Sequence, residues 1–169
     1  LGLNPTRAAL LDVLTALGAE IAVLDLEEQN AELVGAVQVS APTGGLQSTE
    51  ISGALAAQLI DELPVLAAIA PHTSGGIRIR DAQELRVKES DRIALVVKNL
   101  RAMGADVTEF EDGMDIPGGQ KLHGTVIDAG GDHRIAMAFS VPALRAVGDT
   151  LIQGAESAAI SFPEFFDLL

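Results

Sequence analysis

The stretch Glu84-Leu85-Arg86-Val87-Lys88-Glu89-Ser90-Asp91-Arg92 places three cations and three carboxylates within nine residues. Apolar residues then recur at the spacing of one helical face, at Ile93, Val96, Val97 and Leu100. Ser90 or Asp91 can cap this helix, because a short side-chain oxygen accepts hydrogen bonds from the free N–H groups of a first turn. The stretch therefore predicts charged side chains at a strand-to-helix turn, beside the positive end of a helix dipole, where a phosphate or carboxylate binds readily.

Neighbouring charges within this stretch can also contact one another. On a helix, Lys88 and Arg92 would share a face, and Glu89 and Arg92 are close enough in sequence to pair. Mixed charge at a helix start is also common on solvated protein surfaces. The residues alone therefore leave an anion-binding site and a solvated surface both open.

The bulk composition predicts one globular domain spanning residues 1–169. The chain has 48% hydrophobic residues and a mean hydropathy of +0.31, which is typical of a protein with a substantial core. A net charge of −13, with no Trp or Tyr, argues against nucleic acid and anionic membranes as partners. Anionic ligands stay compatible with this charge if the cations are focused. We expect one cleft to be lined by Arg86, Lys88, Arg92 and Arg134.

Residue types exclude several other kinds of site. The chain has no Cys, so disulfides, a thiolate nucleophile and a Cys-based zinc site are excluded. Its three His lack metal-ligand spacing, so no metal site is predicted. No run of 18 apolar residues and no signal peptide is present, and we expect a cytoplasmic protein. Because the chain begins at Leu1, inside a turn that resembles a motif, we expect a fragment or processed piece.

Local patterns predict alternating strands and helices. Strands are expected near 21–24, 33–39, 76–80, 105–110, 114–116, 125–128 and 151–152, with a short strand or turn near 48–54 and an acidic turn at 25–32. Helices are expected after Asn4-Pro5, after Asp91, after Asp132 and within 161–169, and a further helix is expected to contain Asp61 and Pro64 in its first turn. Pro142 should kink the helix that follows Asp132.

One regularity links these elements. A turn ending in Arg opens a helix at Arg7, Arg92 and Arg134. Each of these helices is expected to end near a glycine, at Gly18, Gly104 and Gly148, before a strand follows. The pattern indicates an internal repeat of strand–helix units.

Four motifs carry a resemblance to a known family. Arg86-Val87-Lys88-Glu89-Ser90-Asp91-Arg92-Ile93 resembles a signature of the 5-enolpyruvylshikimate-3-phosphate synthase family. The other three are Ile60-Asp61-Glu62-Leu63-Pro64, Gly131-Asp132-His133-Arg134-Ile135-Ala136-Met137 and Ser161-Phe162-Pro163-Glu164-Phe165-Phe166. They occur in the family's order and span nearly the whole chain.

The resemblance implies a fold. Members of this family have two similar α/β domains, each an inverse α/β barrel of three βαβαββ units with helices inside and sheets outside. The chain resembles most of the C-terminal domain and lacks the first strand and helix of that domain's first unit. The expected partner is the N-terminal domain, because the family's active site lies between the two domains.

The resemblance also implies a reaction. The enolpyruvyl group of phosphoenolpyruvate is transferred to the 5-hydroxyl of shikimate 3-phosphate and phosphate is released, without a metal or organic cofactor. Glyphosate is the inhibitor associated with the family. This chemistry needs a base, an acid and preorganised cations around two phosphates and two carboxylates.

Roles in this reaction carry over at matching positions. Asp61 and Glu89 match the two proton-transfer carboxylates, and their roles could be exchanged. The matching substrate-binding residues are Glu84 and Lys88 for shikimate 3-phosphate, Arg92 and Arg134 for phosphoenolpyruvate, and His133 beside Arg134. Two positions depart from a common pattern, because many members have Asn at the place of Glu84 and Lys at the place of Ile160.

Each of these residues also has a purely structural interpretation. Asp61 could be a helix N-terminal acid, Glu89 an ion-pair partner of Arg92, and Lys88 a solvated lysine. The arginines could simply bind turn carbonyls, since Arg7 occupies the same repeated position. At the level of function, a UDP-sugar enolpyruvyl transferase half and a stand-alone, non-catalytic anion-binding or structural domain remain open.

Overall fold

The computed structural model describes residues 2–3, 8–40 and 42–169. The predicted cap at Asn4 and the turn ending in Arg7 lie outside these residues. The helices are α1 (Ala9–Ala16), α2 (Gly53–Gln58), α3 (Leu63–Ile69), α4 (Arg92–Ala102), α5 (His133–Ala143) and α6 (Phe165–Leu168). The strands are β1 (Glu20–Gln29), β2 (Glu32–Ser40), β3 (Thr49–Ile51), β4 (Ile77–Ile79), β5 (Thr108–Phe110), β6 (Gly113–Ile116), β7 (Val126–Asp128) and β8 (Leu151–Gln153). Short 3₁₀ helices span Ala70–His72, Gln83–Val87 and Ala155–Ile160.

The middle of the chain forms one complete βαβαββ unit. It runs from β3 through α3 to the parallel strand β4, and then through α4 to the hairpin β5–β6. The sheet order is β3-β4-β6-β5, because the second half of the unit returns antiparallel to β4. Parts of two further units flank it. β7, α5 and the parallel strand β8 repeat its beginning, and α1 with the β1–β2 hairpin repeats its end. The predicted internal repeat is therefore present.

The β1–β2 hairpin differs from the prediction. The acidic segment 25–32 is not a turn, because β1 continues to Gln29 with an irregularity between Leu24 and Glu27. The reversal is made by Asn30 and Ala31, which both have positive φ values (54° and 63°), as a two-residue hairpin turn requires. The carboxylates are accommodated because this part of β1 is exposed to solvent.

Helix α4 begins directly after its capping residue, Asp91. Asp91 Oδ1 accepts a hydrogen bond from the Ala94 N–H at 2.9 Å, so the predicted cap is confirmed. Lys88 precedes this cap in an extended conformation, and the prediction that it shares a helical face with Arg92 is wrong. The predicted apolar stripe is fully buried, at Ile93, Val96, Val97 and Leu100. Gly104, with φ +89°, follows the end of the helix as expected.

The two other inner helices also begin near their motifs. α3 starts at Leu63, so Asp61 lies in the preceding turn rather than in the first helical turn. α5 starts at His133, with Asp132 as its cap. Pro142 is the second-last residue of α5, where it has no N–H to donate to the Ala138 carbonyl, and the helix ends one residue later. Gly148 lies five residues beyond this end, so it does not cap α5.

Helices α3, α4 and α5 pack against one another and carry most of the core. α3 contacts both α4 and α5, and five of its seven residues are buried. Apolar side chains of β4 and β6 cover the same core, including Ile77, Ile79 and Ile116. This packing brings the turn before α3 and the N-termini of α4 and α5 to one place.

Candidate active site

Three segments from distant parts of the sequence converge at this place. The turn before α3 supplies Asp61, the first residue of α4 is Arg92, and the second residue of α5 is Arg134. Both arginines stand at helix N-termini, where unpaired N–H groups and the helix dipole add positive potential. The fold therefore brings two cationic side chains together in a protein whose net charge is −13, and carboxylates surround them.

Arg92 is the buried centre of the site. Its side chain is 1% exposed, and the Asp132 side chain beside it is 0% exposed. Arg92 Nε donates to Asp132 Oδ2 at 2.8 Å, and Arg92 Nη2 donates to Asp132 Oδ1 at 3.3 Å. Burial alone would raise the pKa of Asp132, but the hydrogen bonds from Arg92 and Ser90 and the charge of Arg92 outweigh it and hold that pKa below its usual value. The pair is therefore ionised at neutral pH.

Two further carboxylates contact the outer side of Arg92. Arg92 Nη2 donates to Glu89 Oε2 at 2.6 Å, which confirms the predicted contact between these residues. Arg92 Nη1 makes a longer contact of 3.4 Å to Asp61 Oδ1. Burial opposes the charge of Arg92, yet hydrogen bonding and the charges of Asp132, Glu89 and Asp61 raise its pKa above the ordinary value.

Arg134 contacts the same turn from the other side. Its Nη1 donates to the carbonyl of Asp61 at 3.1 Å and its Nη2 donates to Asp61 Oδ2 at 3.3 Å. Glu62 Oε1 lies 3.9 Å from Arg134 Nη1. The structural interpretation of this arginine therefore holds in part, because Arg134 does bind a turn carbonyl. Its side chain is also 30% exposed to solvent.

Glu84 and Lys88 form a separate pair. Lys88 Nζ lies 2.7 Å from Glu84 Oε1, and the Glu84 side chain is mostly exposed. Glu84 lies in the 3₁₀ helix Gln83–Val87, and Lys88 follows it directly. Within the described part of the chain, no hydrogen bond or ion pair joins this pair to the cluster around Arg92.

Arg86 does not line the cleft as expected. It donates to Asp91 Oδ2 at 2.9 Å, to Glu109 Oε1 at 3.0 Å and to the carbonyls of Phe110 and Glu111. Burial opposes its charge, but these carboxylates raise its pKa. Arg86 therefore fastens the segment before α4 to the β5–β6 hairpin, and its donors are used within the fold.

Within the described residues, neither His133 nor Ile160 has a side-chain contact that joins it to the cluster around Arg92. His133 is the half-buried first residue of α5, and its ring makes no hydrogen bond with any residue that the structure describes. Ile160 ends the 3₁₀ helix Ala155–Ile160 and is 74% exposed. A longer polar side chain at position 160 would therefore meet solvent rather than the core.

A cavity of about 170 Å³ opens beside Asp61 and Arg134. Its other walls come from helices α3 and α5 and from the C-terminal segment. They are Glu62, Pro64, Val65, Met137, Ala138, Val141 and Phe165. Polar groups that could bind an anion thus sit at the mouth of a largely apolar cavity.

Two participants lie within the quoted motifs but received no site role from sequence. Asp132 was expected to start a helix and Ser90 to cap one, yet Ser90 Oγ donates to Asp132 Oδ2 at 2.9 Å. The only available signal was the position of Asp132 two residues before Arg134. Its pairing with Arg92, forty residues away, could not be found from local pattern.

Within the described residues, no helix is long and apolar enough to cross a bilayer. Among the same residues, no group of three or more His, Asp or Glu side chains is arranged to hold a metal ion. Chemically, the site combines two arginines, which suit planar carboxylate or phosphate groups, with carboxylates that can move protons. The fold and the site together define an α/β domain in which two arginines and several carboxylates meet at converging helix N-termini.

The chain belongs to the EPSP synthase (3-phosphoshikimate 1-carboxyvinyltransferase) family, which matches it over residues 1–169. It is similar to the 3-phosphoshikimate 1-carboxyvinyltransferases of Koribacter versatilis, with 62% identity over 167 residues, and Solibacter usitatus, with 53% over 168 residues. Each alignment covers 99% of this chain but 39% of the relative, so the chain spans about two fifths of these curated proteins.

A solved structure has the same fold. EPSP synthase from Acinetobacter baumannii superposes with a TM-score of 0.91 at 35% sequence identity, covering 99% of this chain and 39% of that one. The predicted α/β fold of repeated βαβαββ units, with helices inside and sheets outside, is confirmed.

Proposed function

We propose that this chain supplies one half of the active site of an enolpyruvyl transferase. The complete enzyme transfers the enolpyruvyl group of phosphoenolpyruvate to the 5-hydroxyl of shikimate 3-phosphate and releases phosphate, as a step of aromatic amino acid biosynthesis in the cytoplasm. The observation that carries the proposal is the contact of Asp61 and Glu89 with Arg92, and of Asp61 with Arg134. Proton-transfer groups and anion-binding groups thus lie within hydrogen-bond reach of one another.

The arginines bind phosphoenolpyruvate in this proposal. A guanidinium offers two parallel N–H donors to a carboxylate or phosphate, which fixes both the position and the plane of the bound group. Arg92 is buried and held by Asp132, and its remaining donors contact Asp61 and Glu89, so an anion reaches it by displacing these carboxylates. Arg134 is partly exposed beside it. His133, next to Arg134 in sequence, lies at the edge of this subsite.

Asp61 and Glu89 handle the protons. The transfer requires a base for the sugar hydroxyl and an acid for the methylene carbon of phosphoenolpyruvate. Both carboxylates retain solvent access, with exposed fractions of 32% for Asp61 and 54% for Glu89, so a bound substrate can reach them. Lys88, together with Glu84, binds shikimate 3-phosphate.

The domain assignment is part of the same proposal. We assign residues 1–169 to most of the C-terminal domain of a two-domain enzyme, with the N-terminal domain as partner. The 39% share of the relatives' length supports this. The β1–β2 hairpin supports it too, because a set of large apolar side chains there is exposed, as expected for a surface that packs on further protein. These are Val23, Leu24, Leu26, Leu33 and Val39.

The experiment measures phosphate release from phosphoenolpyruvate and shikimate 3-phosphate. The chain alone is compared with the chain plus a separately produced N-terminal half, and with the complete two-domain protein. We expect turnover only where both halves are present, since half a cleft cannot enclose the reactants. Absence of turnover from the complete, folded protein would overturn the proposal and favour a non-catalytic anion-binding domain. A UDP-sugar acceptor in place of shikimate 3-phosphate serves as the specificity control.

A further inference from the structure

We propose that Asp132 is a positioning residue that orients both arginines of the site. The inference rests on the function proposed above, and it concerns a buried carboxylate, 0% exposed, whose oxygens already accept hydrogen bonds from groups of the protein. Four donors converge on it: Arg92 Nε, Arg92 Nη2, Ser90 Oγ and the Arg134 backbone N–H.

The first link fixes the guanidinium plane of Arg92. Asp132 takes the Nε–Nη2 edge, with N–O distances of 2.8 and 3.3 Å. The guanidinium is planar, so holding one edge sets the direction of the other. That other edge carries Nη1 and the outer N–H of Nη2, which are the groups that contact Asp61 and Glu89.

The second link fixes the start of α5. Asp132 Oδ1 accepts from the Arg134 backbone N–H at 2.9 Å, which is the capping bond of this helix. A shift of the cap would turn the first helical residues and move the Arg134 side chain with them. The Asp132 carboxylate therefore sets the position of Arg92 relative to Arg134, although these two arginines are forty-two residues apart in sequence. Two-point binding of a small anion depends on this placement.

A purely structural role is the competing explanation. In that case, loss of Asp132 would lower stability and the amount of folded protein, while the folded fraction would bind substrates normally. A positioning role predicts selective loss of affinity for phosphoenolpyruvate. The two explanations are therefore separated by ligand affinities measured on folded protein.

The test uses Asp132→Asn in the complete two-domain protein. Asn has nearly the same shape, but its amide nitrogen cannot accept a hydrogen bond from Arg92. We expect KM and Kd for phosphoenolpyruvate to rise roughly 10- to 100-fold, the cost of one charge-assisted hydrogen bond. KM for shikimate 3-phosphate should change far less, because Lys88 pairs with Glu84, and no hydrogen bond or ion pair among the described residues joins this pair to the cluster.

Asp128→Asn is the matched control. Asp128 lies four residues upstream in the same connection, bonds Lys98 Nζ at 2.8 Å and the Gly130 N–H at 2.9 Å, and contacts neither arginine. It should leave both KM values unchanged. Ser90→Ala removes a single donor from Asp132 and should weaken phosphoenolpyruvate binding in the same direction by a smaller factor. It also decides the matter if Asp132→Asn does not fold.

A second readout does not depend on turnover. The Arg92 Nε–H signal in ¹⁵N nuclear magnetic resonance spectra should be shifted downfield and exchange slowly with water, because this group is buried and bonded to a carboxylate. In folded Asp132→Asn protein, both properties should be lost. An unchanged Arg92 signal, or unchanged phosphoenolpyruvate affinity in both variants, would overturn the inference. If the wild-type complete protein shows no turnover, the proposed function fails, and this signal with direct phosphoenolpyruvate titration still decides the role of Asp132.

Discussion

Asp61 contacts Arg134 through two of its atoms. Its carbonyl oxygen accepts from Nη1 at 3.1 Å and its Oδ2 accepts from Nη2 at 3.3 Å, while Oδ1 lies 3.4 Å from Nη1 of Arg92. One carboxylate thus spans both arginines. In the function proposed above, an anion that pairs with either arginine would compete with Asp61 for the same N–H groups, and its binding would release this carboxylate for proton transfer.

Asp61→Asn should separate chemistry from binding. Asn cannot take up the hydroxyl proton, so we expect kcat in the complete protein to fall about 10²- to 10⁴-fold. Phosphoenolpyruvate affinity should not weaken, because a competing negative charge beside Arg134 is removed. Steady-state kinetics and direct titration measure the two effects. Glu62→Gln, at the neighbouring position 3.9 Å from Arg134, is the control and should retain most activity. Near-normal kcat in Asp61→Asn would contradict the assignment.

Glu89→Gln should abolish turnover at little cost in stability. Glu89 is 54% exposed and Asp132 continues to hold Arg92, so the free energy of unfolding should change by less than about 1 kcal/mol. We expect kcat to fall about 100-fold or more. Phosphate release and thermal unfolding give the two quantities. Glu109→Gln is matched, because Glu109 also pairs with an arginine, at 3.0 Å from Arg86 Nη2, but lies outside the site. Equal activity losses in both variants would argue against a chemical role of Glu89.

Lys88→Met should weaken binding of shikimate 3-phosphate. A charge-assisted hydrogen bond is lost, so we expect KM for this substrate to rise roughly tenfold or more. Lys98→Met is the control, because Lys98 is also an ion-paired lysine but lies on the exposed side of α4 beside Asp128. If both variants keep the wild-type KM, Lys88 is a solvated lysine with no role in substrate binding.

Ile160→Lys should tighten phosphoenolpyruvate binding. Position 160 is 74% exposed, so the substitution should not disturb the core, and the family resemblance implies that a lysine here contacts phosphoenolpyruvate. We expect a lower KM for phosphoenolpyruvate and an unchanged melting temperature. Ile160→Met controls for side-chain length without charge. An unchanged or raised KM in the lysine variant would show that this position does not face the substrate.

The Asp132–Arg92 pair should make stability depend on pH in the acid range. The pKa of Asp132 is lowered in the folded protein, because hydrogen bonds and the Arg92 charge outweigh the effect of burial. Its contribution is therefore complete above the unfolded pKa of about 3.9 and is lost as the pH falls through the lower folded value. Asp132→Asn should be less stable than wild type by roughly 3 kcal/mol at pH 7, with the gap narrowing below about pH 4. Urea unfolding over this pH range measures the gap, and a gap that widens toward acid would contradict the assigned shift.

Local sequence determined the elements whose signals are local. Asp91 caps α4 because a short carboxylate reaches its own first turn, and the apolar stripe at the helical period is buried as predicted. The repeat of strand–helix units was also visible, since it follows from capping residues, arginines and glycines at recurring positions. The four motifs indicated the family, and the family implied the fold of repeated βαβαββ units.

Tertiary structure decided which charges face one another. Arg86 and Arg92 belong to the same motif, yet Arg86 binds the β5–β6 hairpin, while Arg92 is buried against Asp132, the cap of α5. Strand pairing over several residues likewise placed the hairpin turn at Asn30 and Ala31, so that the rest of the acidic segment is part of the strands. Which arginine a carboxylate contacts depends on how helices from distant parts of the sequence pack. The free energy of each charge depends on its burial and on its neighbours, and the spacing of residues along the chain specifies neither.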